Sequence, residues 1–209
     1  MIFNKIRIIL IGLASIFNYD SAPTDEVKVI EYQTEYVYAE KYSEGEELII
    51  QEGEHGYSHL VNGKEVEHKE PVNEIIQVGT HKNTEYKGTL TGYGPDCVGC
   101  NKQAIVACKT ADRKLWSLTA DGLIYTDHDY GEVRIVAADK TLFPCGTIIE
   151  INNSKYKGLL AVVLDTGHTM RKSWRKNQTA WLDLAFETEK GTNAITNKKT
   201  NFHVKRWGW

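Results

Sequence analysis

Two runs decide the fold: residues 133–152, VRIVAADKTLFPCGTIIEIN, and residues 159–186, LLAVVLDTGHTMRKSWRKNQTAWLDLAF. Val133–Ala138, Thr147–Ile151, Leu159–Leu164 and Ala180–Phe186 are apolar stretches of strand length. Asp139, Pro144, Gly146 and Asp165-Thr166-Gly167 break the chain between them. Short apolar runs bounded by turn residues read as buried strands. Asp139 and Asp165 stand at the ends of two of these runs and Asp183 inside a third. An ionised carboxylate is costly there without a partner or a task. The expectation is that the three aspartates converge on one site.

The flanks extend the pattern. Gly88–Pro95, GTLTGYGP, reads as a strand with Thr89, Thr91 and Tyr93 on one face, broken at Gly94-Pro95. Residues 114–130, KLWSLTADGLIYTDHDY, carry a turn at Asp121-Gly122 and a polar loop at Asp127-His128-Asp129. That loop has metal-ligand donors, but turn chemistry explains it as well and is preferred. Glu187–Asn197 reads as a short helix, and Asn201–Trp209 as a last strand with Trp207 and Trp209 on the same side. Many short strands, glycine-rich breaks and little helix predict an all-β chain with a closed barrel.

The cysteines Cys97, Cys100, Cys108 and Cys145 all fall in this half. In an exported chain an even count reads as disulfides. Four cysteines allow three pairings, and spacing does not choose among them. The pairing expected is Cys97 with Cys100 and Cys108 with Cys145. A four-cysteine zinc site would want a second C-x-x-C, which the sequence lacks, so no metal and no cofactor are expected.

The first half has another character. There are 16 acidic and 6 basic residues from Asp20 to Lys87, against 12 acidic and 17 basic from Gly88 to Trp209. The step marks two segments. The basic excess is too diffuse for a nucleic-acid footprint and suits an anionic wall polymer. Lys5 and Arg7 precede a ten-residue apolar stretch, Ile8–Phe17. It is too short to span a bilayer, which takes about 20 residues, and fits an export signal over 1–22. An uncleaved anchor is the alternative, and no other membrane contact is expected. Residues 23–41 read as an extended spacer, 42–80 as a small β module and 81–87 as a linker to a domain at 88–209. Within the module, Asn62-Gly63 is a strong hairpin signal. His55, His59 and His68 match no ligand spacing and are expected to face solvent.

Residues 42–80 resemble a G5 domain, an extended β module of bacterial surface proteins. The resemblance rests on Gln51-Glu52-Gly53, Asn62–Val66, Glu70-Pro71-Val72 and Ile75–Thr80. The second half resembles the 3D domain, named for three aspartates. It matches through Thr91-Gly92-Tyr93, the Cys97/Cys100 pair, Ala137-Ala138-Asp139, Pro144-x-Gly146-Thr147, Asp165-Thr166-Gly167 and Leu182–Phe186. That resemblance implies a six-stranded double-psi β-barrel, as in membrane-bound lytic transglycosylase A.

The resemblance also implies a secreted or wall-associated enzyme. Such an enzyme cuts peptidoglycan strands between N-acetylmuramic acid and N-acetylglucosamine without water, leaving 1,6-anhydro ends. The alternative is a wall-binding module without turnover. By position, Asp183 matches the acid/base residue and Asp165 a supporting carboxylate. Asp139 matches a third, with a structural role expected, and Thr91 and Tyr93 would share the groove. The 18-residue separation of Asp165 and Asp183 departs from the short glycine-rich link of the family. The insertion carries Arg171, Trp174 and Arg175, either a basic aromatic lip against sugar or a solvated loop with one buried tryptophan.

Overall fold

A computed structural model describes residues 23–97, 104–153, 155–195 and 198–209. The export signal expected at 1–22, and Cys100, lie outside the described residues. The strands are β1 (Asp25–Ile30), β2 (Thr34–Ser43), β3 (Glu47–Gln51), β4 (Gly56–Val61), β5 (Lys64–Lys69), β6 (Glu74–His81), β7 (Glu85–Tyr93), β8 (Ile124–Asp127), β9 (Gly131–Ala138), β10 (Ile148–Asn152), β11 (Leu159–Thr166), β12 (Ala180–Ala185) and β13 (Lys198–Arg206). A helix, α1 (His168–Asn177), separates β11 from β12, and a short 3-10 helix spans Glu189–Ala194. Among the described residues no helix is long and apolar enough to cross a membrane.

The chain forms two compact units. The smaller takes its described residues from 23–33 and 53–73. Its sheet has the order β1-β4-β5. The hairpin joining β4 to β5 turns at Asn62 (φ 52°) and Gly63 (φ 75°). Two successive positive φ angles are what the Asn-Gly signal predicts for a tight hairpin. His55 and His68 are exposed and His59 is half-buried.

The larger unit takes in 34–52 and 74–209. Residues 42–80, read from sequence as one module, are thus shared between the units. The linker read at 81–87 is mostly strand, since His81 closes β6 and Glu85 opens β7. The reason is parallel pairing of β2 with β6, Thr34–Ala39 against Glu74–Gly79. Such pairing joins segments far apart in sequence and leaves no local signal.

Six strands of this unit close a mixed barrel in the order β10-β11-β9-β12-β7-β13, with β13 returning to β10. The pairs β11/β9 and β12/β7 are parallel and the others antiparallel. Leu90, Val136, Ile149, Val163, Leu182 and Phe202 fill the interior with almost no exposed surface. A second apolar layer lies outside the wall, where Val133, Ile135, Val162 and Leu164 pack under Val106, Cys108 and Leu118. Strand β11 is covered on both faces, which is why it reads as an unbroken apolar run.

The covering segment is held by a disulfide between Cys108 and Cys145, one of the two expected pairs. Cys97 is also disulfide-bonded. Removing the Cys108–Cys145 bridge by a double Ala substitution is expected to cost about 4 kcal/mol, from the loop it closes across 37 residues. Guanidinium unfolding of both forms checks this. Equal midpoints would mean that the apolar layer alone holds the segment.

Candidate active site

The site is a row of residues across four adjacent strands. Asp183 on β12 stands opposite Thr91 on β7 and, on its other side, opposite Ala137 on β9. Asp165 on β11 faces the same Ala137 from the far side. Paired residues on neighbouring strands share a sheet face, so all four project together. Two strand spacings, about 10 Å, separate the aspartate Cα atoms, with only the Ala137 methyl between them.

Local sequence places each carboxylate differently. Strand β12 alternates: Ala180, Leu182 and Leu184 are buried in the barrel, while Trp181 and Asp183 are half-buried on the outer face. Asp165 reaches that face through a β-bulge. Val163 pairs with Val136, but Asp165, two residues on, pairs with Ala137. Without the extra residue Asp165 would follow Val163 into the apolar interior. A bulge re-aims a side chain in this way. The covering segment braces it, for Cys108 N–H donates to the Leu164 carbonyl at 2.8 Å.

Asp165 accepts three hydrogen bonds, from Tyr93 Oη–H at 3.0 Å, Ala107 N–H at 3.0 Å and Thr166 N–H at 2.8 Å. Burial and the adjacent Asp165 charge push the Tyr93 hydroxyl well above its ordinary range, so Tyr93 stays a donor. Asp183 is held by one bond. Thr91 Oγ1 donates to Asp183 Oδ1 at 2.7 Å and accepts from Trp181 Nε1 at 2.8 Å. The indole fixes the direction in which Thr91 donates. Oδ2 of Asp183 has no partner among the described residues.

Burial raises the Asp183 carboxyl from 3.8 to about 6. The Thr91 hydrogen bond opposes the shift, and the charges of Glu189 and Asp165 add to it. Glu189 was not legible as a site residue. It opens the 3-10 helix, and Gly94 N–H donates to its Oε1 at 3.1 Å. A Cβ on Gly94 would lie 2.2 Å from Glu189 N, so glycine permits this approach. Glu189→Gln keeps the hydrogen bond and removes the charge. It is expected to lower the Asp183 value while leaving it above its ordinary 3.8, since burial, the larger cause, is unchanged. Carboxyl NMR titration of Asp183 reads this; an unmoved or rising value would remove Glu189 from the site.

Asp139 stands apart. It is 2% exposed, and its Oδ1 accepts from Thr141 N–H at 3.0 Å and Thr141 Oγ1 at 2.8 Å, closing the turn after β9. This is turn chemistry. The insertion is α1, a helix rather than a loop. Met170 is buried, and Trp174 packs edge-on against Tyr86 at 6.2 Å. Arg171 and Arg175 are exposed one helical turn apart. Among the described residues no cluster of His, Cys, Asp or Glu has the arrangement of a metal site. No protein-family model matches the chain and no curated protein matches it, so the functional reading rests on these residues themselves.

Proposed function

We propose that this chain is an exported enzyme of the bacterial cell wall. Its reaction is non-hydrolytic cleavage of the N-acetylmuramic acid–N-acetylglucosamine bond of peptidoglycan, within a 3D-type double-psi barrel. The observation that carries the reading is the Asp183 carboxyl, raised by burial to about 6 beside a second carboxylate and with one oxygen unengaged. A general acid of this chemistry must hold its proton near neutral pH and release it to a departing sugar oxygen.

The steps balance with one carboxyl group. Asp183 gives its proton to the glycosidic oxygen as the bond from the muramic acid C1 breaks. The 6-hydroxyl of the same sugar then bonds to C1, and the Asp183 carboxylate takes its proton. The acid is regenerated and the product carries a 1,6-anhydro ring. Thr91 orients Oδ1, leaving Oδ2 for the substrate. Asp165, fixed by three donors, faces the positive character that develops at C1. Trp181 supports Thr91, and its half-buried ring offers a surface on which sugar can stack.

The test is digestion of purified peptidoglycan by the full chain, with products read by mass spectrometry. Anhydromuropeptides are expected. Reducing-end products would mean hydrolysis by an activated water. Retained wall binding with no product would leave a glycan-binding module.

A further inference from the structure

A separate feature of the barrel is Arg134, a cation with no ion-pair partner among the described residues, in an open cleft. Arg134 projects from β9 into a cleft of about 620 Å³ lined by Pro95, Leu118, Leu123, Ile124 and Glu187. A second hollow of about 370 Å³, walled by Leu159 and Leu160, continues on its other side and shares Ile124 and Arg134. The guanidinium is half-buried. Its Nη2 donates to the Ala185 carbonyl, and the Phe186 ring lies 5.5 Å from Cζ. Its Nε is buried with no hydrogen-bond partner, and no carboxylate forms an ion pair with it among the described residues. Burial lowers its affinity for a proton, and the Tyr156 hydroxyl opposes this only in part.

A half-buried arginine without a counterion is costly, and a bound anion removes the cost. Its planar fork suits a carboxylate. The cleft also has a place relative to the reacting row. Pro95 and Glu187 each lie four residues beyond Thr91 and Asp183, which face one another. On β9 itself, Arg134 stands three residues before Ala137, the partner of Asp183, about 10 Å along the strand. Asp121 and Glu187, exposed on the cleft lining, add negative charge near the half-buried guanidinium.

We infer that this cleft binds the peptide stem of the wall polymer through Arg134, which takes one of the stem's carboxylates. The inference rests on the function proposed above, since that substrate carries a peptide on each muramic acid. A stem of about four residues spans up to about 14 Å, long enough to cover the roughly 10 Å of β9 between Ala137, beside Asp183, and Arg134. It bears two carboxylates, small methyl side chains for Leu118, Leu123 and Ile124, and an amine at its third residue that suits Asp121 and Glu187.

The probe is the free tetrapeptide L-Ala-γ-D-Glu-L-Lys-D-Ala, titrated into the full chain with NMR detection of the Arg134 Nε–H. The resonance is expected to shift on binding. Affinity is expected to fall by about tenfold or more in Arg134→Gln, less in Arg134→Lys, and by about tenfold when the peptide's carboxylates are amidated. Equal affinity for wild type and Arg134→Gln, or an unmoved Nε–H at saturation, overturns the inference, as does absence of tetrapeptide binding. Digestion of peptidoglycan is scored separately. Anhydro products without tetrapeptide binding sink the cleft alone. Tetrapeptide binding at Arg134 without any product sinks the enzyme and leaves the cleft standing.

Discussion

Asp183→Asn is expected to lower the release of anhydromuropeptides by about 10²–10⁴-fold, the usual contribution of a general acid. The barrel should remain folded, because Asn keeps the shape and still accepts the Thr91 hydrogen bond seen at 2.7 Å. The variant separates chemistry from binding: wall binding should persist while product disappears. A variant with near wild-type turnover would exclude Asp183 as the proton donor, and Asp165 or Glu189 would have to be tested in its place.

The same substitution has a stability signature of known sign. The folded-state value is about 6 against an ordinary 3.8, so the folded protein holds this proton more tightly than the unfolded chain. Its contribution is complete below about 3.8 and is lost as pH rises through about 6. Above that, the ionised carboxylate is a penalty that Asn does not carry. Asp183→Asn is therefore expected to be more stable than wild type at pH 8, by about 3 kcal/mol, and the gain should vanish in acid. Denaturant unfolding at the two pH values reads this directly. Turnover by wild type should fall about tenfold per pH unit above about 6, because the acid form is being lost. Equal stability at pH 8 would show an ordinary carboxyl and remove the basis of the proposed chemistry.

The second large effect lies away from the reacting row. Arg206→Ala is expected to destabilise the larger unit by about 3–5 kcal/mol, the usual result of breaking a buried ion pair. Arg206 is 3% exposed, and all five of its N–H donors are used. Nη1 reaches Asp127 Oδ1 at 2.9 Å and Asp129 Oδ2 at 2.7 Å. Nη2 reaches Asp127 Oδ2 at 2.6 Å and the Gly146 carbonyl at 3.1 Å, and Nε reaches the Gly208 carbonyl at 2.9 Å. Tyr42 Oη–H completes the cluster by donating to Asp129 Oδ2 at 2.8 Å. One guanidinium thus ties β2, the β8–β9 turn, the chain entering β10 and the end of β13.

Arg206→Lys should not rescue it, because an ammonium has three donors and no planar fork. Acid should weaken the same cluster. Burial opposes ionisation of Asp129, but hydrogen bonds from His128, Tyr42 and Arg206 outweigh it and hold the carboxyl at about 2, below its ordinary 3.8. The stability it supplies is present above about 3.8 and lost as pH falls through about 2. Thermal unfolding of wild type and Arg206→Ala between pH 2 and pH 7 tests both statements, in pH units chosen to bracket that window. A midpoint shift of under ~2 °C in the variant would show that the apolar layers carry the closure alone.

Strand positions were legible because local chemistry sets them. Gly88–Pro95, Val133–Ala138 and Ala180–Phe186 lie within a residue or a few of the observed strands. The Asn62-Gly63 turn followed from the φ angles that only such a pair tolerates well. Asp183 was legible only as a carboxylate inside an apolar run; the alternation that sets it on the outer face of β12 came with the structure. Helix α1 was missed because its sequence, HTMRKSWRKN, has only two apolar residues to mark a face. Met170 is buried and Trp174 leans on Tyr86, a contact with a residue far off in sequence.

What the sequence by itself determined is therefore the set of strands, their turns, and three aspartates placed where carboxylates need a reason. Only the tertiary structure decided how they are used. The bulge after Val163 turns Asp165 out of the interior, and the pairing of β9 with both β11 and β12 brings Asp165 and Asp183 to either side of Ala137. Tertiary packing brought the Glu189 charge to bear on Asp183, gave the Asp127-His128-Asp129 loop to Arg206, and left Arg134 without a counterion among the described residues. Register, bulges and buried charge pairing depend on contacts between distant segments. Such contacts have no period and no local composition to announce them.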